Sequence, residues 1–393
     1  ENALAVSPYP TQVQNLVGQP SSGQVTLTWD ALAATNIEHY EVYMSTSPNI
    51  ETKSENYVDQ TSTTSLVVTG LDNNQEYFFK VAGVDSDGYL GAFSKELMIV
   101  PAYSGPNWWI SRNGNDETGD GSQENPSQSL VWPFRHVKSN TPNMGDPFPF
   151  FNDGDTIRLM QSNNPYHTGS FPIRIFSNSD QEALIDVDGM SYNAQLTNFT
   201  IMGDSNDPND AKIQGTGFGT FHLSGIDATF KNLVIENGSS EEENSAAILM
   251  VDGELIVENS IVRNHYSNGS GGAIGLNNSS ALIKNSLFKE NSARYNAGAI
   301  NINNDYSGGE EVPVKIEIIN TVFQGNRVNG SDQTGSAHGG AIRVWPNKGL
   351  DLSIVQSTFF QNEVYCYMDG AGAFGGAIDV GYRDEFDFSN IKP

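Results

Sequence analysis

Ala281-Leu-Ile-Lys-Asn285-Ser-Leu-Phe288-Lys-Glu-Asn291-Ser-Ala-Arg-Tyr-Asn-Ala297-Gly-Ala-Ile300 holds one turn of a pattern that recurs through the second half of the chain. An apolar strand closes on Asn285, a Phe-x-x-Asn element follows, and Gly-Ala-Ile starts the next strand. Gly-Gly-Ala-Ile stands at residues 271–274, 339–342 and 375–378, with the near copy at residues 297–300. Its partner reads Phe288-Lys-Glu-Asn291, Phe323-Gln-Gly-Asn326 and Phe359-Phe-Gln-Asn362, with degenerate forms at residues 261–264 and 234–237. Self-similarity at a period of tens of residues is the mark of a solenoid.

The Asn or Gln that closes each apolar strand falls at Asn198, Asn232, Asn259, Asn285, Asn320, Gln356 and Asn390. Four and two residues before each stand Ala194/Leu196, Ala228/Phe230, Leu255/Val257, Ala281/Ile283, Ile316/Ile318, Leu352/Ile354 and Phe386/Phe388. Alternation over such short runs predicts strands with one buried face; a helix would space its apolar residues by three and four. Short strands stacked turn on turn make a parallel β-helix, in which each coil completes its core against its neighbours. The Phe or Ile after the Asn is expected inside the tube, and Gly-Gly permits a corner that a Cβ would obstruct. The polar insertions at residues 303–311 and 329–337 read as loops leaving the coil. The Asn residues read as structural, stacking into hydrogen-bonded ladders and capping turns.

Residues 1–103 lack the repeat. They alternate in short runs, Val25-Thr-Leu27-Thr-Trp29, Tyr40-Glu-Val42-Tyr43, residues 66–68 and 77–84, separated by turn residues. Regular short strands with a buried Trp predict a β-sandwich. With Gly70-Leu71-Asp-Asn-Asn-Gln-Glu-Tyr77-Phe-Phe79-Lys-Val81, the segment resembles a fibronectin type III domain. The resemblance implies a tyrosine-corner-like unit of Leu71 and Tyr77, and the role of a spacer.

Residues 101–106 form a Pro/Gly/Ser linker. Beyond it Trp108-Trp109-Ile110, the Gly-rich run to Gly121 and Gly154-Asp155-Thr156-Ile157 resemble the opening segment of secreted right-handed β-helix proteins, here residues 107–160. The Gly-Gly-Ala-Ile and Phe-x-x-Asn pair resembles the repeat of polymorphic outer membrane proteins, a family of surface adhesins with β-helix passengers. The expected fold is therefore all-β. A fibronectin type III-like sandwich occupies residues 1–103 and a right-handed parallel β-helix residues 104–393, with repeats over about residues 190–393. The strand at residues 386–390 repeats that at residues 352–356 without a capping sequence after it, which predicts further coils in a longer parent protein; the alternative is that residues 382–393, with the charged Arg383, Asp384 and Glu385, fold across the end as a cap.

A formal charge of −27, from 47 acidic and 20 basic residues, excludes general attraction to nucleic acid or an anionic membrane. The single cysteine, Cys366, permits no disulfide within the chain and reads as a packed residue. No run of about 20 apolar residues is present to span a membrane. Asp116 and Asp120 on a Gly-rich loop, and Asp204, Asp207 and Asp210 on an acidic one, are candidate oxygen donors to calcium.

A polysaccharide lyase needs a base beside a uronate carboxylate and a cation to neutralise it. The outward positions after each Ala-Ile are Gly275, Asn301, Arg343 and Asp379, which make no basic stripe. Arg343, Lys284, Arg263 and His338 are the isolated candidates. Two functions fit. One is a secreted or cell-surface adhesin or stalk, of a bacterial outer surface, that binds glycan or another surface ligand without catalysis. The alternative is a secreted polysaccharide lyase or glycosidase acting on acidic polysaccharide.

Overall fold

The computed structural model describes residues 9–135, 151–304, 313–330, 337–366 and 372–381, apart from 34–35, 52, 74, 170, 178–182, 188, 195, 216, 242–244 and 347–348. They fall into two compact units, one ending at Ser104 and one beginning at Gly105.

The first unit packs two antiparallel sheets. Val17–Ser21, Gln24–Thr28 and Ser65–Thr69 form one; Tyr57–Thr61, Ile37–Ser45, Tyr77–Asp85 and Leu97–Ile99 form the other. Alternate residues of both meet in a core of Val25, Leu27, Trp29, Tyr40, Val42, Val68, Phe79 and Val81. The expected tyrosine corner is present. Leu71 and Tyr77 are buried, and the Tyr77 hydroxyl accepts from the Asp72 N–H at 3.0 Å. The strand at Tyr57–Thr61 escaped the sequence reading, because its alternation is mostly polar and it covers one flank only.

The second unit is a parallel β-helix. Its longest continuous ladder is eight parallel strands, from Asn107–Ile110 and Thr156–Leu159 through Asn198–Gly203, Asp227–Lys231, Glu254–Glu258, Ser280–Lys284 and Val314–Ile319 to Leu350–Val355. A seven-stranded sheet and a five-stranded sheet stack in the same order. A nine-stranded sheet adds an antiparallel meander, Ile173–Ser177, Ala183–Val187 and Met190–Ala194, at one end. Each coil contributes strands that pair with those of the coils before and after it, so the core exists only through stacking.

The inward ladder is as the alternation predicts over most of its length. Phe230, Val257, Ile283 and Ile318 are fully buried, while Ile354 on the last strand of its sheet is half-buried. Beside them run Ile213, Ile235, Val262, Phe288, Phe323 and Phe359 in register. The Phe288 and Phe323 rings stack at 5.1 Å and Phe323 and Phe359 at 4.8 Å, parallel because identical side chains occupy one rotamer coil after coil. Asn232, Asn259, Asn285, Asn320 and Gln356 each follow a strand and turn the chain with φ between 46° and 55°. That left-handed conformation is one that Asn tolerates. The ladder of amides is also there: Asn259 donates to Asn232 at 2.9 Å and Asn320 to Asn285 at 2.8 Å.

Two registers differ from expectation. Asn198 opens a strand instead of closing one. Phe199 and Ile201 are the inward pair of that coil, and Gly203 makes the corner, where a Cβ would lie 2.1 Å from the Asn232 carbonyl oxygen. Residues 194 and 196 alternate too, and sequence alone does not separate the two phases. The degenerate Phe-x-x-Asn elements are shifted by one residue. Asn237 and Asn264 occupy the left-handed corner filled later by Glu290, Gly325 and Gln361. The buried ladder position of Asn291 and Asn326 is held by Gly238 and His265. Phe386, Phe388 and Asn390 lie outside the described residues.

The corner series makes a small, testable contrast. A left-handed φ costs a Cβ-bearing residue about 1 kcal/mol, less for Asn. Glu290, exposed at φ 57°, stands between coils that use Asn and Gly there. Glu290→Asn is expected to raise stability by about 0.5–1 kcal/mol in urea denaturation, and Gly325→Glu to lower it by a similar amount.

The opening segment closes one end of the tube. Trp108 is buried and donates its indole N–H to Asp155 at 2.7 Å. Trp132, Phe134 and Phe151 join it in an aromatic plug that continues into Phe199. A solenoid end without such a cover would expose its core. Burial raises the Asp155 pKa, against the Asn152 N–H and Trp108 bonds that hold it ionised.

Candidate functional site

The Gly-Gly-Ala-Ile corner does more than turn the chain. Its first residue takes φ of 70°, 56°, 66° and 61° at Gly271, Ala297, Gly339 and Gly375. Its second lets two coils touch: a Cβ on Gly272, Gly298 or Gly340 would lie 2.1–2.2 Å from the carbonyl oxygen of the equivalent glycine one coil on. The sharp corner brings the residue before the first glycine against the residue after the Ile. Two ladders thus run side by side. One carries Ser270, Asn296, His338 and Phe374; the other carries Gly275, Asn301, Arg343 and Asp379.

At the last of these coils the ladders meet in a polar cluster. Ile342–Trp345 alternates, so Ile342 and Val344 enter the core while Arg343 and Trp345 face outward. Arg343 is paired in register with Asp379, and its Nη1 donates to the Asp379 carboxylate. His338 Nδ1 lies 3.2 Å from Arg343 Nη1 and 3.1 Å from Asp379 Oδ2. In one tautomer it accepts from the guanidinium; in the other it donates to the carboxylate. The guanidinium carbon sits 4.2 Å from the centre of the Trp345 ring, and the His338 ring stacks on Phe374 at 4.9 Å. Only 4% of Arg343 is exposed, against 41% of Trp345 and 47% of Phe374. Burial pulls the Arg343 pKa down to about 10; it also lowers that of His338, with Arg343 acting in the same direction.

Of the four candidates for an elimination site, the structure brings Arg343 and His338 together and leaves the others elsewhere. Lys284 lies on the eight-stranded sheet, 3.2 Å from Glu258, which also holds Lys231 at 3.2 Å. Those three are cross-strand neighbours, and the two ammonium groups keep the Glu258 carboxylate ionised to lower pH, against its partial burial. Arg263 lies on the seven-stranded sheet and grips Glu236 of the preceding coil through Nε at 2.7 Å and Nη2 at 2.6 Å. In the sequence Asp379 and Asn301 stand on the outward row without a sign of a role, and Trp345 and Phe374 carry no motif. The signal that joins them is the five-residue offset across each Gly-Gly corner.

The calcium candidates hold loops. Asp116 Oδ1 accepts from the Gln128 and Ser129 N–H groups at 2.7 and 2.8 Å, and Asp120 Oδ1 accepts from Ser122 at 2.9 Å. Asp204 is 3.6 Å from Arg158. Asp207 caps the turn Pro208–Asp210, where the Asn209 N–H lowers its pKa. Asp210 accepts from Gln161 at 2.9 Å and Ser205 at 2.6 Å. Among the described residues no three His, Cys, Asp or Glu side chains gather as a metal site would require. None of their helices is long and apolar enough to cross a membrane.

No curated protein matches the chain. Solved structures that resemble part of it include the sixth fibronectin type III domain of human fibronectin type III domain containing protein 3, at 16% identity and TM-score 0.22, covering 26% of this chain and 93% of that one. A Fn3-like protein from Clostridium thermocellum matches at 22% identity and TM-score 0.19, covering 23% and 88%. The Clostridium perfringens spore cortex lytic enzyme SleM matches at 16% identity and TM-score 0.19, covering 23% and 28%. The fibronectin type III family model matches residues 9–99, the two-sheet unit with its tyrosine corner. Such a domain supports an extracellular or surface-type protein. The chain therefore joins an N-terminal fibronectin type III domain to a parallel β-helix.

Proposed function

We propose that this protein is a non-catalytic adhesin or stalk, secreted or held at a cell surface, whose β-helix binds glycan. The observation that carries this reading is that the three cationic candidates for elimination chemistry are spoken for. Arg343 is neutralised by Asp379, Lys284 by Glu258 and Arg263 by Glu236. A lyase must leave a cation free to meet the substrate carboxylate, because the charge that develops on that carboxylate sets the barrier. The candidates also stand on three different sheets, so no substrate residue would meet them together. The stacked repeats, which resemble those of polymorphic outer membrane proteins, and the fibronectin type III domain suit a rigid spacer.

Incubation with polygalacturonate and with alginate is expected to yield neither new reducing ends nor an unsaturated product absorbing in the ultraviolet. An unsaturated product that disappears in Arg343→Gln or Lys284→Gln would overturn the non-catalytic reading.

A further inference from the structure

We infer that the cluster of Trp345, Phe374, His338, Arg343 and Asp379 is a subsite for a neutral, hydroxyl-rich sugar. The inference rests on the glycan-binding reading and gives it a place and a ligand class. Trp345 and Phe374 are large apolar side chains left 41% and 47% exposed. Each is backed by a planar partner: Trp345 by the Arg343 guanidinium and Phe374 by the His338 ring. A backed ring is held in place, so little rotamer entropy is lost when a ligand covers its free face. The C–H face of a pyranose offers an apolar surface to such a ring, while its hydroxyls need paired donors and acceptors at the edge.

The edge supplies them. Asp379 and His338 are partly exposed, so a carboxylate oxygen and an imidazole remain within reach of solvent. Arg343 Nε is buried without a hydrogen-bond partner. One coil back on the same ladder Asn301 is 7% exposed, and its Oδ1 is likewise buried without a partner. Both atoms are enclosed, so the polar groups that a sugar would meet are the Asp379 carboxylate and the His338 ring.

The charge decides which sugar. With Arg343 paired to Asp379 and burial favouring neutral His338, the cluster is balanced, and it sits on a chain of net charge −27. A uronate polymer would approach a repulsive field with no free cation to receive it. A neutral glycan meets no such penalty.

The test uses the whole chain with cellohexaose, mannohexaose and xylohexaose as neutral probes and hexagalacturonate as the acidic one, by isothermal calorimetry. At least one neutral hexasaccharide is expected to bind saturably, with affinity falling tenfold or more in Trp345→Ala and in Phe374→Ala. Both positions are exposed, so the melting temperature should hold, and Phe171→Ala, exposed on another coil, should bind as the parent does. Binding that survives both substitutions would overturn this subsite while leaving glycan binding intact. Failure of every neutral probe, or tighter binding of hexagalacturonate, would overturn the ligand class; turnover of any probe would instead strike at the non-catalytic reading.

Discussion

Gly298→Ala is expected to unfold or severely weaken the β-helix, although it adds one methyl group. The new Cβ would lie 2.2 Å from the Gly340 carbonyl oxygen and 2.4 and 2.8 Å from the Arg327 backbone N and O. These are backbone atoms of the next coil, not the ends of side chains that swing aside. Relief requires the two coils to part, and the bonds there are those that hold them. The Ala297 N–H donates to His338 at 2.9 Å, Gly298 to Gly339 at 3.2 Å and Ala299 to Ala341 at 2.9 Å. Leaving two or three buried backbone groups unpaired costs about 1–3 kcal/mol each, so the loss should be on the order of 4 kcal/mol or more. Gly325→Asn is the control. That glycine has φ 63°, but its nearest neighbour to a new Cβ is Glu290 Cγ at 3.5 Å, and Asn tolerates the conformation. Urea denaturation followed by circular dichroism, or soluble yield where Gly298→Ala does not fold, separates the two. A Gly298→Ala protein that unfolds with the parent would show that the coils are not in the contact described.

That contact also explains what the sequence made legible. Gly-Gly recurs because each glycine meets a separate demand, one for a left-handed turn and one for contact between coils. Neither demand admits a substitute except Ala297, whose methyl group is accepted at φ 56°. The alternation before Asn232, Asn259, Asn285 and Asn320 is equally strict, since a one-residue slip would turn the core outward. Asparagine itself was ambiguous. It serves the left-handed corner at Asn264 and the buried ladder at Asn291, one position further along the repeat. Composition does not distinguish the two roles; the backbone angle does. The candidate site was legible only in pieces for a similar reason. Arg343 and His338 stood out as cations among acids, but their meeting depends on a corner, and Trp345 and Phe374 read as ordinary strand residues.

His265 provides the second large effect. It occupies the ladder position of Asn291 and Asn326 and copies their bonding. Asn291 Oδ1 accepts the His265 N–H at 3.1 Å, and its Nδ2 donates to the Val262 carbonyl at 2.9 Å. In the same way His265 Nδ1 accepts the Gly238 N–H at 3.1 Å, and Nε2 lies 3.0 Å from the Ile235 carbonyl. A backbone N–H only donates and a carbonyl only accepts, so Nδ1 is bare and Nε2 carries the proton. A second proton would face the Gly238 N–H inside a fully buried site. Burial therefore pushes the His265 pKa down to about 4, although the bond to the Ile235 carbonyl opposes the shift. Above about pH 6.5 the ring is neutral in both folded and unfolded chains and contributes no pH dependence. As pH falls below that, the unfolded chain takes up a proton that the folded one refuses, and stability declines until the folded pKa is reached. The full loss is on the order of 3 kcal/mol, with roughly 2 kcal/mol already gone near pH 5. The acidic residues titrate over part of the same range, so the informative quantity is a difference. His265→Asn restores the ladder amide and removes the titration. Its urea midpoint should stay near that of the parent at pH 8 and exceed it increasingly at pH 6 and pH 5. A difference that does not change with pH would mean that His265 is not held neutral in the ladder.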